Sequence, residues 1–143
     1  MAESSKIYAL VGLPGSGKST LAKKWAAEFK LKLIDDPKTA TENKKEEVLE
    51  LVRRGESFIL CDIFLCDSEV RARFEDTCKG INSETSVHYY FFENRPDKCL
   101  ANIKLRNDGR NVEPSLKRLS SIYTIPTTAL PMTIWTGDSN EAN

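Results

Sequence analysis

One segment constrains this chain more than any other: Gly12-Leu13-Pro14-Gly15-Ser16-Gly17-Lys18-Ser19-Thr20. It fits the spacing G-x-x-x-x-G-K-[ST], a loop whose backbone N–H groups converge on phosphate oxygens. The flanks agree with that reading. Lys6 to Val11 is an apolar, partly β-branched run and reads as a buried strand. Lys18 to Lys30 carries Leu21, Ala22, Trp25, Ala26 and Phe29 at helical spacing. Strand, loop and helix in this order are the context that turns the pattern into a nucleotide-phosphate site.

The residue types follow from the chemistry. Gly12, Gly15 and Gly17 allow backbone angles that side chains forbid, so the N–H groups can face an anion. The helix that follows points its positive dipole end at the same place. Lys18 is expected to reach the β- and γ-phosphates, and the Ser19 hydroxyl to ligate Mg²⁺. Pro14, Ser16 and Thr20 complete the nucleotide-binding segment, with Thr20 read as a first-turn helix residue rather than a second metal ligand.

A chain of 143 residues suggests one domain, taken as 1–143. Lys+Arg and Asp+Glu both number 21, for a formal net charge of zero. Contact with nucleic acid should therefore be local rather than spread over a basic surface. Cys61, Cys66, Cys78 and Cys99 lack C-x-x-C spacing, and His88 is the single histidine, so a zinc site is not expected. Met1 to Ser5 is polar, no run reaches membrane-spanning length, and the reading is a reducing, cytoplasmic protein without a membrane partner.

Further along, Lys30 to Ile34 reads as a second strand ending in Asp35-Asp36-Pro37. Acids at the carboxyl end of a strand in an α/β protein lie where ligands bind, yet Asp-Pro is also ordinary turn chemistry, and both readings stand. Thr41 to Arg54 reads as a helix closed by Gly55, with a Lys44-Lys45-Glu46-Glu47 cluster that is either a solvated face or the lining of a substrate groove. Ser57 to Cys61 reads as a buried strand running into Asp62, the Walker-B arrangement in which a carboxylate holds or orients Mg²⁺. Ser68 is expected to cap a helix from Glu69 to Lys79, closed by Gly80. Its Arg71 and Arg73 read most simply as surface charges paired with Glu69, Glu75 or Asp76.

Val87 to Phe92 reads as a fourth strand whose aromatics belong to the core and whose His88 is structural or partly exposed. Pro96 suits the start of a helix from Asp97 to Asn107, with Cys99, Leu100, Ile103 and Leu105 as apolar contacts. Arg106 and Arg110 follow at four-residue spacing around a glycine. They are either a charged helix end, favoured by the dipole, or a cationic lid over a transferred phosphoryl group. Pro114 to Tyr123 reads as a helix with Leu116, Leu119 and Ile122 inward, and Met132 to Trp135 as a fifth strand. Five strands alternating with helices imply a parallel sheet covered on both faces, a P-loop NTPase-like three-layer α/β/α fold with an arginine-bearing lid.

Four segments together resemble the small P-loop kinases grouped with the 5′-polynucleotide kinases, in particular the bacteriophage kinase domain. They are the loop Gly12 to Thr20, Ile34-Asp35-Asp36-Pro37-Lys38, Ile59 to Leu65, and Arg106 to Arg110 followed by Val112, Pro114 and a helix ending in Ile122-Tyr123. The resemblance implies that Asp35 is the general base toward an acceptor hydroxyl. It also implies that Arg110, with Arg106, neutralises charge in the transition state, and that ATP and Mg²⁺ are the cofactors. The implied acceptor is a hydroxyl of a nucleic acid or nucleoside. Ile34 and Lys38 stand where the family has arginines, so the acceptor-phosphate contacts differ and a hydroxyl on a modified base is equally compatible. Two alternatives remain: a kinase for a small metabolite or nucleotide, and a regulatory protein that binds ATP or GTP without transferring phosphate. No Asn-Lys-x-Asp pattern for guanine is present in the sequence.

Overall fold

Lys6–Val11 forms β1, the middle strand of the sheet, and its burial explains its composition: Ile7, Ala9, Leu10 and Val11 are all fully buried. The computed structural model describes residues 5–35, 42–106, 113–132 and 134, with the side chains of 42–44 and 106 excepted. Along the chain, β1 leads through the glycine loop to α1 (Lys18–Phe29), β2 (Lys32–Asp35), α2 (Glu42–Arg53) and β3 (Phe58–Cys61). A 3₁₀ turn (Ile63–Cys66) then precedes α3 (Ser68–Ile81), β4 (Ser86–Phe92), α4 (Pro96–Arg106), α5 (Glu113–Ser121) and β5 (Leu130–Met132).

The five strands lie parallel in the order β2-β3-β1-β4-β5. Right-handed crossovers then put α1 on one face and the remaining helices on the other. Side chains sort accordingly. Tyr8, Ile59 and Tyr90 line a groove with Trp25 and Phe29 of α1, whereas Leu60 meets Val48 of α2 and Phe74 of α3. The register pairs Leu10 with Cys61 and with Tyr90, and Asp35 with Cys61, so the strand ends bearing Asp35 and Asp62 are adjacent. Full burial of Phe58, Phe91, Leu60 and their neighbours stabilises the stack by about 1.5–3 kcal/mol per large side chain.

Several local expectations change. The N-cap of α3 is Asp67, whose carboxylate accepts from Glu69 N at 2.9 Å, and not Ser68. Gly80 lies inside α3, where an added Cβ would meet open space, so it does not terminate the helix. Phe29 and Leu105 fit the apolar spacing of their helices but are 60% and 66% exposed, and Ile122, expected inward on the last helix, lies past its end at Ser121 and is 42% exposed. The fifth strand is Leu130–Met132 rather than Met132–Trp135. Pro131 is tolerated there because β5 is an edge strand. Gly55 closes α2 as expected: its φ is +71°, its N–H donates to Val52 O, and Glu56 N–H reaches back to Leu51 O. His88 is exposed and stacks on Tyr8 at a centroid distance of 5.7 Å.

Arg71 departs furthest from its sequence reading. It is buried, not a paired surface charge. Its guanidinium donates to Leu65 O and Thr124 O, both at 2.8 Å, and to Thr124 Oγ1 at 3.2 Å. It also sits 5.2 Å from the centre of the Phe91 ring, within cation–π range. The side chain thus ties the exit of β3 to the chain that leaves α5.

Candidate functional site

The glycine loop is shaped by close approaches that only glycine permits. A Cβ on Gly12 would come 2.3 Å from Ser16 Oγ and 3.1 Å from Phe92 Cδ1. Gly15 has φ +87°, and its Cβ would stand 2.4 Å from Cys99 O. Gly17, at φ 93°, is the N-cap of α1 and supplies no side-chain cap, leaving the first-turn N–H groups for another acceptor. Pro14 is half-buried at the loop's crest, and Thr20 is exposed in the first turn of α1. Ser16 Oγ is the buried side-chain oxygen or nitrogen without a partner among the described residues. An anion cradle fits that atom, because a buried hydroxyl without a partner is costly and a phosphate oxygen would accept from it.

Lys18 is only 7% exposed, lying along the loop at the start of α1. Its backbone carbonyl accepts from the Cys61 thiol at 3.6 Å, which fixes α1 against the end of β3. Ser19 Oγ donates to Asp35 Oδ1 at 3.5 Å, bringing the helix hydroxyl and the acid at the end of β2 together. Asp62 is buried at the end of β3. Its carboxylate accepts from Phe64 N at 2.9 Å and its N–H donates to Leu10 O at 3.4 Å, extending the ladder one residue past the strand. The structure therefore brings Ser19 and Asp35 together at the carboxyl edge of the sheet, where ligands bind in open α/β sheets, with Lys18 at the start of the same helix, whereas the Asp62 carboxylate at the end of the neighbouring β3 is turned onto Phe64 N. Arg110 and Asp36 lie outside the described residues, and the Arg106 backbone ends α4.

Two residues that no motif marked complete the frame. Asn102, buried on α4, donates through Nδ2 to Gly15 O at 2.9 Å. The Tyr123 hydroxyl lies 2.5 Å from Phe92 O and 3.2 Å from Val11 O, joining the ends of β4 and β1 just behind the loop. Burial pushes the Tyr123 phenol well above its ordinary range. The Cys99 thiol is raised to about 11, chiefly by burial, although the Lys18 ammonium works in the opposite direction. A signal for Asn102 did exist: a polar, poor helix former in the middle of an otherwise apolar helix face asks for a partner.

The family model described as "50S ribosome-binding GTPase" matches residues 7–104, and the chain belongs to that family of P-loop nucleotide-binding domains. An uncharacterised protein of Acanthamoeba polyphaga mimivirus is 27% identical over 106 residues, covering 73% of this chain and 75% of that one. Among solved structures, a fungal RNA kinase superposes with a TM-score of 0.67 at 13% identity, covering 99% of this chain and 79% of that one. A gluconokinase from Sinorhizobium meliloti superposes with a TM-score of 0.64 at 12% identity, covering 89% and 81%. At these identities the structures establish the shared fold. The P-loop α/β architecture and its nucleotide-binding loop are thereby fixed. Among the described residues, no helix is long and apolar enough to cross a membrane.

Proposed function

We propose that the chain is an ATP- and Mg²⁺-dependent phosphotransferase that moves the γ-phosphate to a hydroxyl of a nucleic acid or nucleoside. The observation that carries this reading is the approach of Asp35 to Ser19 at 3.5 Å. A carboxylate this close to the first turn of the helix that follows the loop supports a role for Asp35 toward an acceptor hydroxyl. The likeness of the Asp35 and Arg106–Arg110 segments to the polynucleotide-kinase pattern supports the same assignment, as does the fold shared with a fungal RNA kinase.

In this reading the loop N–H groups and Lys18 bind the β- and γ-phosphates and orient them. Asp35 takes the proton as the acceptor oxygen attacks phosphorus in line and the bond to the ADP oxygen breaks. Lys18, Arg106 and Arg110 neutralise the charge that spreads over the transferred group. Ser19 and Asp62 would hold Mg²⁺, which when bound offsets charge on the phosphate oxygens.

The family's own description favours a second reading, nucleotide binding or hydrolysis without a separate acceptor. The missing Asn-Lys-x-Asp pattern favours adenine over guanine. Transfer of radiolabelled γ-phosphate from ATP, with GTP in parallel, separates the readings. The acceptors are 5′-hydroxyl DNA and RNA, DNA with hydroxymethylated bases, nucleosides, gluconate and water. Label on a polynucleotide or nucleoside, lost in Asp35→Asn, is expected. Label reaching water alone would replace the transferase reading with a hydrolase. Label confined to gluconate would replace it with a metabolite kinase.

A further inference from the structure

A cleft of about 220 Å³ opens between α2 and α3, over the end of β3. Its walls are apolar: Val48 and Leu49 from α2, Leu65, Val70 and Phe74 from the other side. Lys45 and Arg73 also line it, one on each helix, and both are exposed. Among the described residues neither makes an ion pair, while Lys32, Arg53, Arg54, Arg95 and Lys98 all do. Asp62, which follows β3 directly, lines it as well.

A volume of this size takes one ring-sized group rather than an extended strand or a duplex, given that a cavity near 150 Å³ holds a benzene ring. Two cations lining one apolar cleft favour a group that is both ring-like and anionic. We infer that this cleft anchors the phosphoryl acceptor, and that Lys45 and Arg73 make it selective for an acceptor carrying a ring and a negatively charged substituent. The inference rests on the phosphotransferase reading above. It puts the acceptor's anionic contact on α2 and α3 rather than on the segment that follows β2.

The test is calorimetric binding of thymidine, thymidine 3′-monophosphate and D-gluconate, with a non-hydrolysable ATP analogue and Mg²⁺ present. The wild type should bind the monophosphate about tenfold more tightly than thymidine, and gluconate no better than thymidine. Lys45→Glu with Arg73→Glu should abolish the monophosphate preference and leave affinity for the ATP analogue within about twofold, as expected of exposed side chains away from the loop. In the unmodified protein, raising ionic strength from about 0.05 to about 0.5 M should erode the same preference, which keeps the test independent of any variant's folding. A preference that survives the double substitution, a preference indifferent to salt, or gluconate binding as tight as the monophosphate would each overturn the assignment. A preference that behaves as expected without any label transfer overturns the transferase reading and leaves the cleft standing. Transfer that ignores both substitutions overturns the cleft alone.

Discussion

Asn102 Nδ2 donates to the carbonyl of Gly15 at 2.9 Å, so a side chain on α4 holds a peptide of the phosphate loop. An anion cradle requires its N–H groups to face inward, which turns carbonyls outward and leaves them in need of a donor. Asn102 is that donor for Gly15. Asn102→Leu should keep the fold but leave a buried carbonyl unsatisfied, at a cost of about 1–3 kcal/mol. Much of that should fall on the loop, lowering ATP affinity by about tenfold. Titration calorimetry paired with a thermal melt checks this. A melt that collapses with no separate effect on ATP affinity would mean that Asn102 merely packs α4.

Gly15→Ala probes the same contact from the other side. The new methyl would sit 2.4 Å from Cys99 O and 2.9 Å from Ile103 Cγ1, at a φ of +87°. The loop must move, because α4 backbone cannot. ATP binding should fall by at least about a hundredfold, with a stability loss of about 1–3 kcal/mol from the strained backbone. Equilibrium dialysis with labelled ATP and a urea melt measure the two separately.

Arg71 and Arg73, two residues apart on α3, should respond in opposite ways. Arg71→Leu removes the donor to Leu65 O, which is buried, and to Thr124 O, which is partly buried. The expected loss is about 2–4 kcal/mol. Arg73→Ala, at an exposed site, should stay within about 0.5 kcal/mol of the wild type. Urea denaturation of both variants checks the contrast.

That contrast shows where sequence is informative and where it is not. Periodicity and apolar runs report which stretches are buried, so β1, β3 and β4 were legible from Ile7, Phe58 and Phe91 alone. The loop glycines were legible because phosphate chemistry demands glycine at particular spacing, whereas Asp35 was marked only by its place at the end of a strand, with turn chemistry as an equal reading. Arg71 was not, because its partners are main-chain carbonyls brought there by the fold, and carbonyls carry no residue identity. Phe29 and Leu105 misled for a related reason: helical spacing gives a face, but it does not say how far along the helix the sheet beneath extends. The strand Leu130–Met132 was displaced because Pro131 argues against a strand unless the strand is known to lie at an edge.

The thiols supply a pH prediction. Burial raises Cys66, Cys78 and Cys99 to about 11 each. Unfolded thiols lose their protons near pH 8.5, so above that point the unfolded state binds fewer protons than the native one. Stability should therefore be unaffected by these groups below about pH 8 and should fall as pH rises toward 11, by at most ~1.4 kcal/mol per pH unit for each thiol. Urea midpoints at pH 7, 9 and 10.5 report the slope. With all four cysteines buried, iodoacetamide at pH 7.5 should label the native protein only as fast as it opens.

The anchors at Asn102 and Tyr123 also mean that the phosphate loop does not hold its shape alone. Its Gly15 peptide is pinned to α4, and the ends of β1 and β4 are joined behind it by the Tyr123 hydroxyl at Val11 O and Phe92 O. Thr124, next in the chain, reaches on to Cys66 O and accepts from Arg71. An anion that settles into the loop therefore meets a seat formed before it arrives, and the freedom that a loose glycine loop would lose on binding is already lost in folding.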